Sequence, residues 1–155
     1  MYEKNTDKLF EELKIKPDAE KFIAQNQNEL TMSLHEYLEK LLQEKHLEKK
    51  DIVKTINKDD KHIYHIFDGS RNPSREKLLT ISRAMQLNLD ETQYLLRYGG
   101  FGILYPRNKW DAVVIAAIEK NLSIQKTNEL LQTLGLPFLN EYKEKKKNEG
   151  DGKEI

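Results

Sequence analysis

Four histidines, a glycine-rich turn and a few separated carboxylates are the residues of this chain whose types and spacing bear on chemistry. His62 and His65 lie one helical turn apart, and His35 and His46 complete the set. A protein metal site needs three or four converging ligands. Here two stand at ligand spacing, with no HExxH pattern and no cysteine, so surface histidines are expected and no metal. Tyr98-Gly99-Gly100-Phe101-Gly102 neither follows a strand pattern nor ends in Gly-Lys-Ser/Thr. It is expected to turn the chain between helices rather than to cradle phosphate. Asp111 and Glu119 form no acid–base pair; Asp111 is expected to cap a helix and Glu119 to sit on a solvated face. Lys145-Lys146-Lys147 is offset by neighbouring acids, as in a solvated tail. No nucleophile stands beside a base. The expectation is a protein without cofactor that is not an enzyme.

The elements that must position these residues read as helices. The 155 residues are 37% hydrophobic and 34% charged, with no cysteine and a net charge of zero. That length suits one compact core or one core with a small extension, and the absence of cysteine excludes a disulfide framework. Met1–Phe10 is charged and lacks an apolar run, and no stretch approaches the ~20 apolar residues of a membrane span. A cytoplasmic protein with no membrane contact is expected. Leu9, Phe10 and Leu13 mark a first amphipathic stretch, and Pro17 suits the first position of a second helix containing Phe22 and Ile23. Ser33, Ser74, Asn88, Asn108 and Ser123 stand where helix N-caps are expected, Asn88 with Glu91 as a capping box. Apolar residues follow at helical spacing: Leu34, Tyr37, Leu38, Leu41 and Leu42; then Leu78, Leu79, Ile81 and Met85; then Val113, Val114, Ile115 and Ile118 beside Trp110; then Leu130, Leu131 and Leu134. The Trp110 to Ile118 stretch is expected in a core or a dimer seam. No period-2 strand and no internal repeat is visible. The fold class is all-α.

Between Leu47 and Ser74 the spacing is that of a helix-turn-helix. Such a motif needs two short helices locked face to face, a tight turn, and a second helix whose outer face stays polar. Ile52, Val53, Ile56, Ile63 and Ile66 supply the inner face; Asp60, Lys61, Tyr64 and His65 fall on the outer one. Asn57 stands at the turn, where a left-handed backbone tolerates Gly best and Asn next.

The run from Leu47-Glu48-Lys49-Lys50-Asp51-Ile52-Val53 through Ile63-Tyr64-His65-Ile66-Phe67-Asp68-Gly69-Ser70-Arg71-Asn72-Pro73-Ser74, followed by Leu78-Leu79 and Ile81, resembles the XRE family of phage-repressor-like transcriptional regulators. Val53 stands where that family usually has Ala, and Asn57 where it usually has Gly. The resemblance implies a five-helix lambda-repressor-like domain over residues 33–97, flanked by a helical N-terminal extension (1–32) and a helical C-terminal extension (98–140). The latter is a candidate for dimerisation or for contact with a protein partner. Residues 141–155 would be a disordered charged tail. The resemblance also implies roles. Asp60, Lys61, Tyr64 and His65, on a recognition helix over about 60–67, would read base edges in the major groove of double-stranded DNA. Lys49, Lys58, Ser70, Arg71 and Asn72 would hold phosphates. The chain would work as a homodimer on a palindrome. Between Ser33 and Arg97, however, 12 basic residues face 11 acidic ones, and phosphate neutralisation supplies much of the affinity of DNA binders. With the Asp59-Asp60 pair, this motivates the alternative of a protein-interaction adaptor on the same fold with little or no DNA binding.

Overall fold

In the computed structural model, which describes residues 4–30, 32–57, 59 and 61–139, every regular element is helical. The all-α expectation holds for these residues. None of their helices is long and apolar enough to cross a membrane. Lys58, Asp60 and the tail expected to be disordered lie outside the described residues. The chain divides into two units, Met1–Met32 and Ser33–Ile155.

The first unit holds α1 (Thr6–Ile15), α2 (Ala19–Gln25) and a 3-10 turn at Gln27–Glu29. Asn5 and Asp18 cap the two helices by accepting from the backbone N–H of Lys8 and Lys21. Pro17 therefore does not open α2, as its fixed φ suggested. It precedes the cap, because the Asp18 carboxylate satisfies an orphan N–H that a proline cannot. Phe10 also departs from its expected place beside Leu9 and Leu13 and is 59% exposed. It is one residue, about 100°, past Leu9 on the helical wheel. The helices α1 and α2 pack on each other, and what joins them is polar. Asn26 is buried; its Nδ2 donates to Glu12 Oε1 (3.2 Å) and Phe22 O (3.0 Å), while Lys4 Nζ donates to Asn26 Oδ1 and Glu12 Oε2, both at 2.7 Å. Hydrogen bonds from Lys4 and then Asn26 hold the Glu12 carboxyl below its ordinary pKa.

The second unit contains α3 (Leu34–Lys45), α4 (Lys49–Asn57), α5 (Lys61–Phe67), α6 (Arg75–Met85), α7 (Leu89–Tyr98), α8 (Lys109–Glu119) and α9 (Ile124–Thr133). Ser33, Ser74, Asn88, Asn108 and Ser123 all cap as their spacing suggests, and complete capping boxes close on Glu36 and Glu91. Helix α6 is the centre: it packs on α4, α7 and α9, while α3 packs on α5 and α7, and α8 on α7 and α9. All residues from Leu78 to Arg83 are buried, as they must be in a helix surrounded on every side.

Three polar residues of α6 are buried along with its apolar ones, and each finds a partner. Thr80 donates to the Glu76 carbonyl, Ser82 Oγ meets Thr92 Oγ1 at 2.7 Å, and Arg83 donates to the carbonyls of Leu87 and Leu122. Burial lowers the pKa of Arg83. Those carbonyls lie just past the ends of α6 and α8, so one side chain ties two helix C-termini together.

The Trp110 to Ile118 stretch takes the core role of its two expected ones, with Val113, Val114, Ala117 and Ile118 buried within the chain. Asp111 is not a helix cap; Asn108 is, by accepting from Asp111 N. The Asp111 carboxylate is instead buried and receives a two-pronged ion pair from Arg75 (3.0 and 3.2 Å) together with the N–H of Tyr105 (3.0 Å). Leu134 falls at the C-cap of α9 and is 56% exposed rather than packed with Leu131.

Candidate functional site

Helices α4 and α5, joined by three residues, pack against each other. Ile52 and Val53 of α4 and Ile63, Ile66 and Phe67 of α5 are buried, whereas Ile56 is half-buried. Asn57 is the last residue of α4, and its side-chain carbonyl accepts from the N–H of Asp59 (3.2 Å). Asparagine thus serves the turn through its side chain. Burial of one face of α5 leaves Lys61, Tyr64 and His65, spaced i, i+3 and i+4, together on the exposed face.

Gly69 sets the direction in which the chain leaves α5. Its φ is +86°, and a Cβ there would lie 2.7 Å from the His35 ring of α3. The N–H of Ser70 returns to the His65 carbonyl and that of Gly69 to Ile66, the bonding of a Schellman motif. The loop is then tied to the exposed face of α5. Ser70 Oγ lies 3.2 Å from His65 Nδ1, and Arg71 Nη1 lies 3.3 Å from His62 Nδ1. Asp68 Oδ1 accepts from Ser70 N at 2.8 Å, and the hydrogen bonds from Ser70 hold the Asp68 carboxyl below its ordinary pKa. Ser70, Arg71 and Asn72 are all exposed. The result is a tethered polar surface carrying Lys61, Tyr64, His65, Ser70 and Arg71.

Of the other sequence candidates, Lys49 is half-buried and engaged by Glu39 (2.8 Å). A phosphate would have to displace a partially exposed pair, an interaction of about 0–1 kcal/mol. Lys58 and Asp60 lie outside the described residues. Lys54, exposed one turn after Lys50 on α4, was missed, although its i, i+4 spacing from Lys50 was a readable signal. The four histidines have separate positions: His35 against Gly69, His46 at the left-handed C-cap of α3, and His62 and His65 facing Arg71 and Ser70.

The surface carries both signs of charge. Asp59 and Asp68 are exposed beside its cations, and Lys50 faces Glu48 at 3.6 Å. It can donate hydrogen bonds from Lys61, Arg71 and Ser70, either donate or accept through His65, and offer an aromatic face at Tyr64, which is 41% exposed. No protein-family model, no curated protein and no solved structure matches the chain.

Proposed function

We propose that this protein is a sequence-specific DNA-binding transcriptional regulator of the XRE type, acting as a cytoplasmic homodimer. In this reading α3 to α7 are the five helices of a lambda-repressor-like domain. Helices α4 and α5 are its helix-turn-helix, and α5 lies in the major groove. The observation that carries the reading is the division of α5: Ile63, Ile66 and Phe67 are buried while Lys61, Tyr64 and His65 stand exposed beside the tethered Ser70–Arg71–Asn72 loop. Lys61 and His65 can donate to guanine or to phosphate, and the loop and Lys49 suit backbone oxygens. No catalytic step is assigned to the chain.

A second reading is favoured by the mixed charge of the same surface. Lys49 is held by Glu39, Asp59 is exposed, and Tyr64 offers an aromatic contact. An adaptor that docks a protein partner on α5, or on α8 and α9, would use those features without DNA.

One titration separates the two. A labelled duplex from upstream of the protein's own gene is followed by fluorescence anisotropy against a shuffled duplex, across a salt series. Tighter binding to the native duplex, weakening as salt rises, is expected of the regulator. Absence of binding to both at low salt would transfer the argument to the adaptor, which a pull-down yielding one stoichiometric, nuclease-insensitive protein partner would support.

A further inference from the structure

Helices α6 and α8 run in the same direction, and an arginine of α6 joins them at each end. At their starts, Arg75 donates to both oxygens of the Asp111 carboxylate (3.0 and 3.2 Å) and to the carbonyls of Gly102 (3.0 Å) and Ile103 (3.2 Å). At their far ends, Arg83 donates to the Leu122 carbonyl (3.1 Å) and to Asn121 Oδ1 (3.4 Å). The segment that leads from α7 into α8 is therefore fixed beside the first turn of α6. Gln93 holds it again, donating to Leu104 O (3.1 Å) and accepting from Leu104 N (2.8 Å).

The first turn of α6 is also where the loop from α5 arrives. Arg71 precedes Arg75 by four residues, at most about 14 Å of extended chain. On the other side of the Arg75–Asp111 pair, Arg107 and Lys109 precede Asp111 by four and two residues. Both are exposed, and neither has an ionic partner among the described residues. Asp111 is the one acid between Tyr98 and Ile118, and Arg75 already neutralises it. The exposed acid in the first turn of α6 is Glu76, a single carboxylate against Arg71, Arg107 and Lys109. A chain of zero net charge thus carries a local cationic surplus at the end of α6 and α8 that adjoins the Ser70–Arg71–Asn72 loop.

We infer that Arg107 and Lys109 are additional phosphate contacts, by which the segment between α7 and α8 carries the DNA interface past the loop that follows α5. The placement selects that ligand. The two cations continue from Arg71 along one end of the molecule, and a duplex offers phosphates at about 3.4 Å of axis per strand to such a row. Arg107 can set two N–H donors on one phosphate, and Lys109 supplies a compact charge beside it. Because the segment is held by Arg75, Asp111 and Gln93, little backbone freedom is lost when its side chains engage. Contacts of this kind position the protein without reading bases, so their contribution is the same for every sequence.

The inference rests on the DNA reading of α5, and its test separates the two. The full-length chain and its variants are titrated by fluorescence anisotropy with the duplex from upstream of the gene and with its shuffled counterpart, across a salt series. Arg107→Ala and Lys109→Ala should each weaken both duplexes by the same factor, and each should make the slope of log affinity against log salt shallower by about one. Lys120, an exposed cation at the far end of α8, is the control: Lys120→Ala should leave the slope unchanged. All three variants should unfold at the wild-type denaturant midpoint, because their side chains are exposed. Unaltered slopes for Arg107→Ala and Lys109→Ala, in a protein whose wild type binds DNA, would overturn the inference and leave the DNA reading standing, as would an equal change in Lys120→Ala. A wild type that binds neither duplex at low salt would overturn both. Capture of that wild type on immobilised polyglutamate, lost in Arg107→Ala/Lys109→Ala, would then assign the two cations to an acidic protein partner.

Discussion

The two units of this chain are centred on opposite kinds of residue. From Ser33 onward the centre is apolar: Leu78, Leu79, Ile81, Leu95, Leu96, Val114 and Leu131 are each no more than 1% exposed. Among the described residues of Met1–Met32 no apolar residue is buried, Asn26 takes the central place, and Phe10, Ile15, Ile23 and Leu30 are exposed. One unit is held by area removed from water, at about 25 cal/mol per Å². The other is held by a few hydrogen bonds and a half-exposed Lys4–Glu12 pair, whose net contributions are about 1 kcal/mol apiece. A 32-residue segment built that way is expected to open locally long before the rest melts.

Substitutions can break or sharpen that contrast. The largest effect is expected at the apolar centre: Leu78→Ala should cost about 2–5 kcal/mol in denaturant unfolding, and a loss under 1 kcal/mol would mean that α6 is less central than its burial implies. Asp111→Ala comes next. It leaves Arg75 unpaired at the junction of α6, α8 and the 102–105 segment, for about 2–3 kcal/mol. That lies below the ~3–5 of a fully buried pair, because Arg75 is partly exposed. An unchanged urea midpoint would show the ion pair to be dispensable.

In the first unit, Asn26→Ala should remove about 1 kcal/mol locally. Amide exchange in α1 and α2 should speed up while that of α6 stays constant; equal acceleration in both would show the units to unfold together. Acid should act on the same unit. The folded pKa of Glu12 lies below its ordinary value of 4.5, so its contribution is fully present above that value and is lost as pH falls through the lowered one. Protection of α1 should therefore decline below about pH 4.5 in the wild type and lose that dependence in Glu12→Gln. The smallest change is expected of Phe10→Ser, within about 0.5 kcal/mol; a larger loss would show that Phe10 is covered in solution.

Much of the helical framework was legible because its signals are local. Ser33, Ser74, Asn88, Asn108 and Ser123 each satisfy an N–H three residues on, so their meaning lies within one turn of sequence. The polar face of α5 was legible for the same reason: once Ile63 and Ile66 turn inward, Lys61, Tyr64 and His65 must turn out. Less could be read of the loop. Arg71 and Ser70 were recognisable as exposed polar residues, but their engagement by His62 and His65 depends on how Gly69 redirects the chain against His35.

The sequence by itself determined where α3, α6, α7, α8 and α9 start, most of the residues that face inward along them, and that one short helix presents a polar face beside a glycine-turned loop. Periodicity and capping are contained in ten consecutive residues, so they survive without knowledge of the fold. Tertiary structure alone decided that Arg83 is buried, that Asp111 answers Arg75 across 36 residues rather than capping its own helix, and that Glu39 occupies Lys49. Each of these sets the cost of removing a charge from water against a partner that only the packing of distant helices brings within reach.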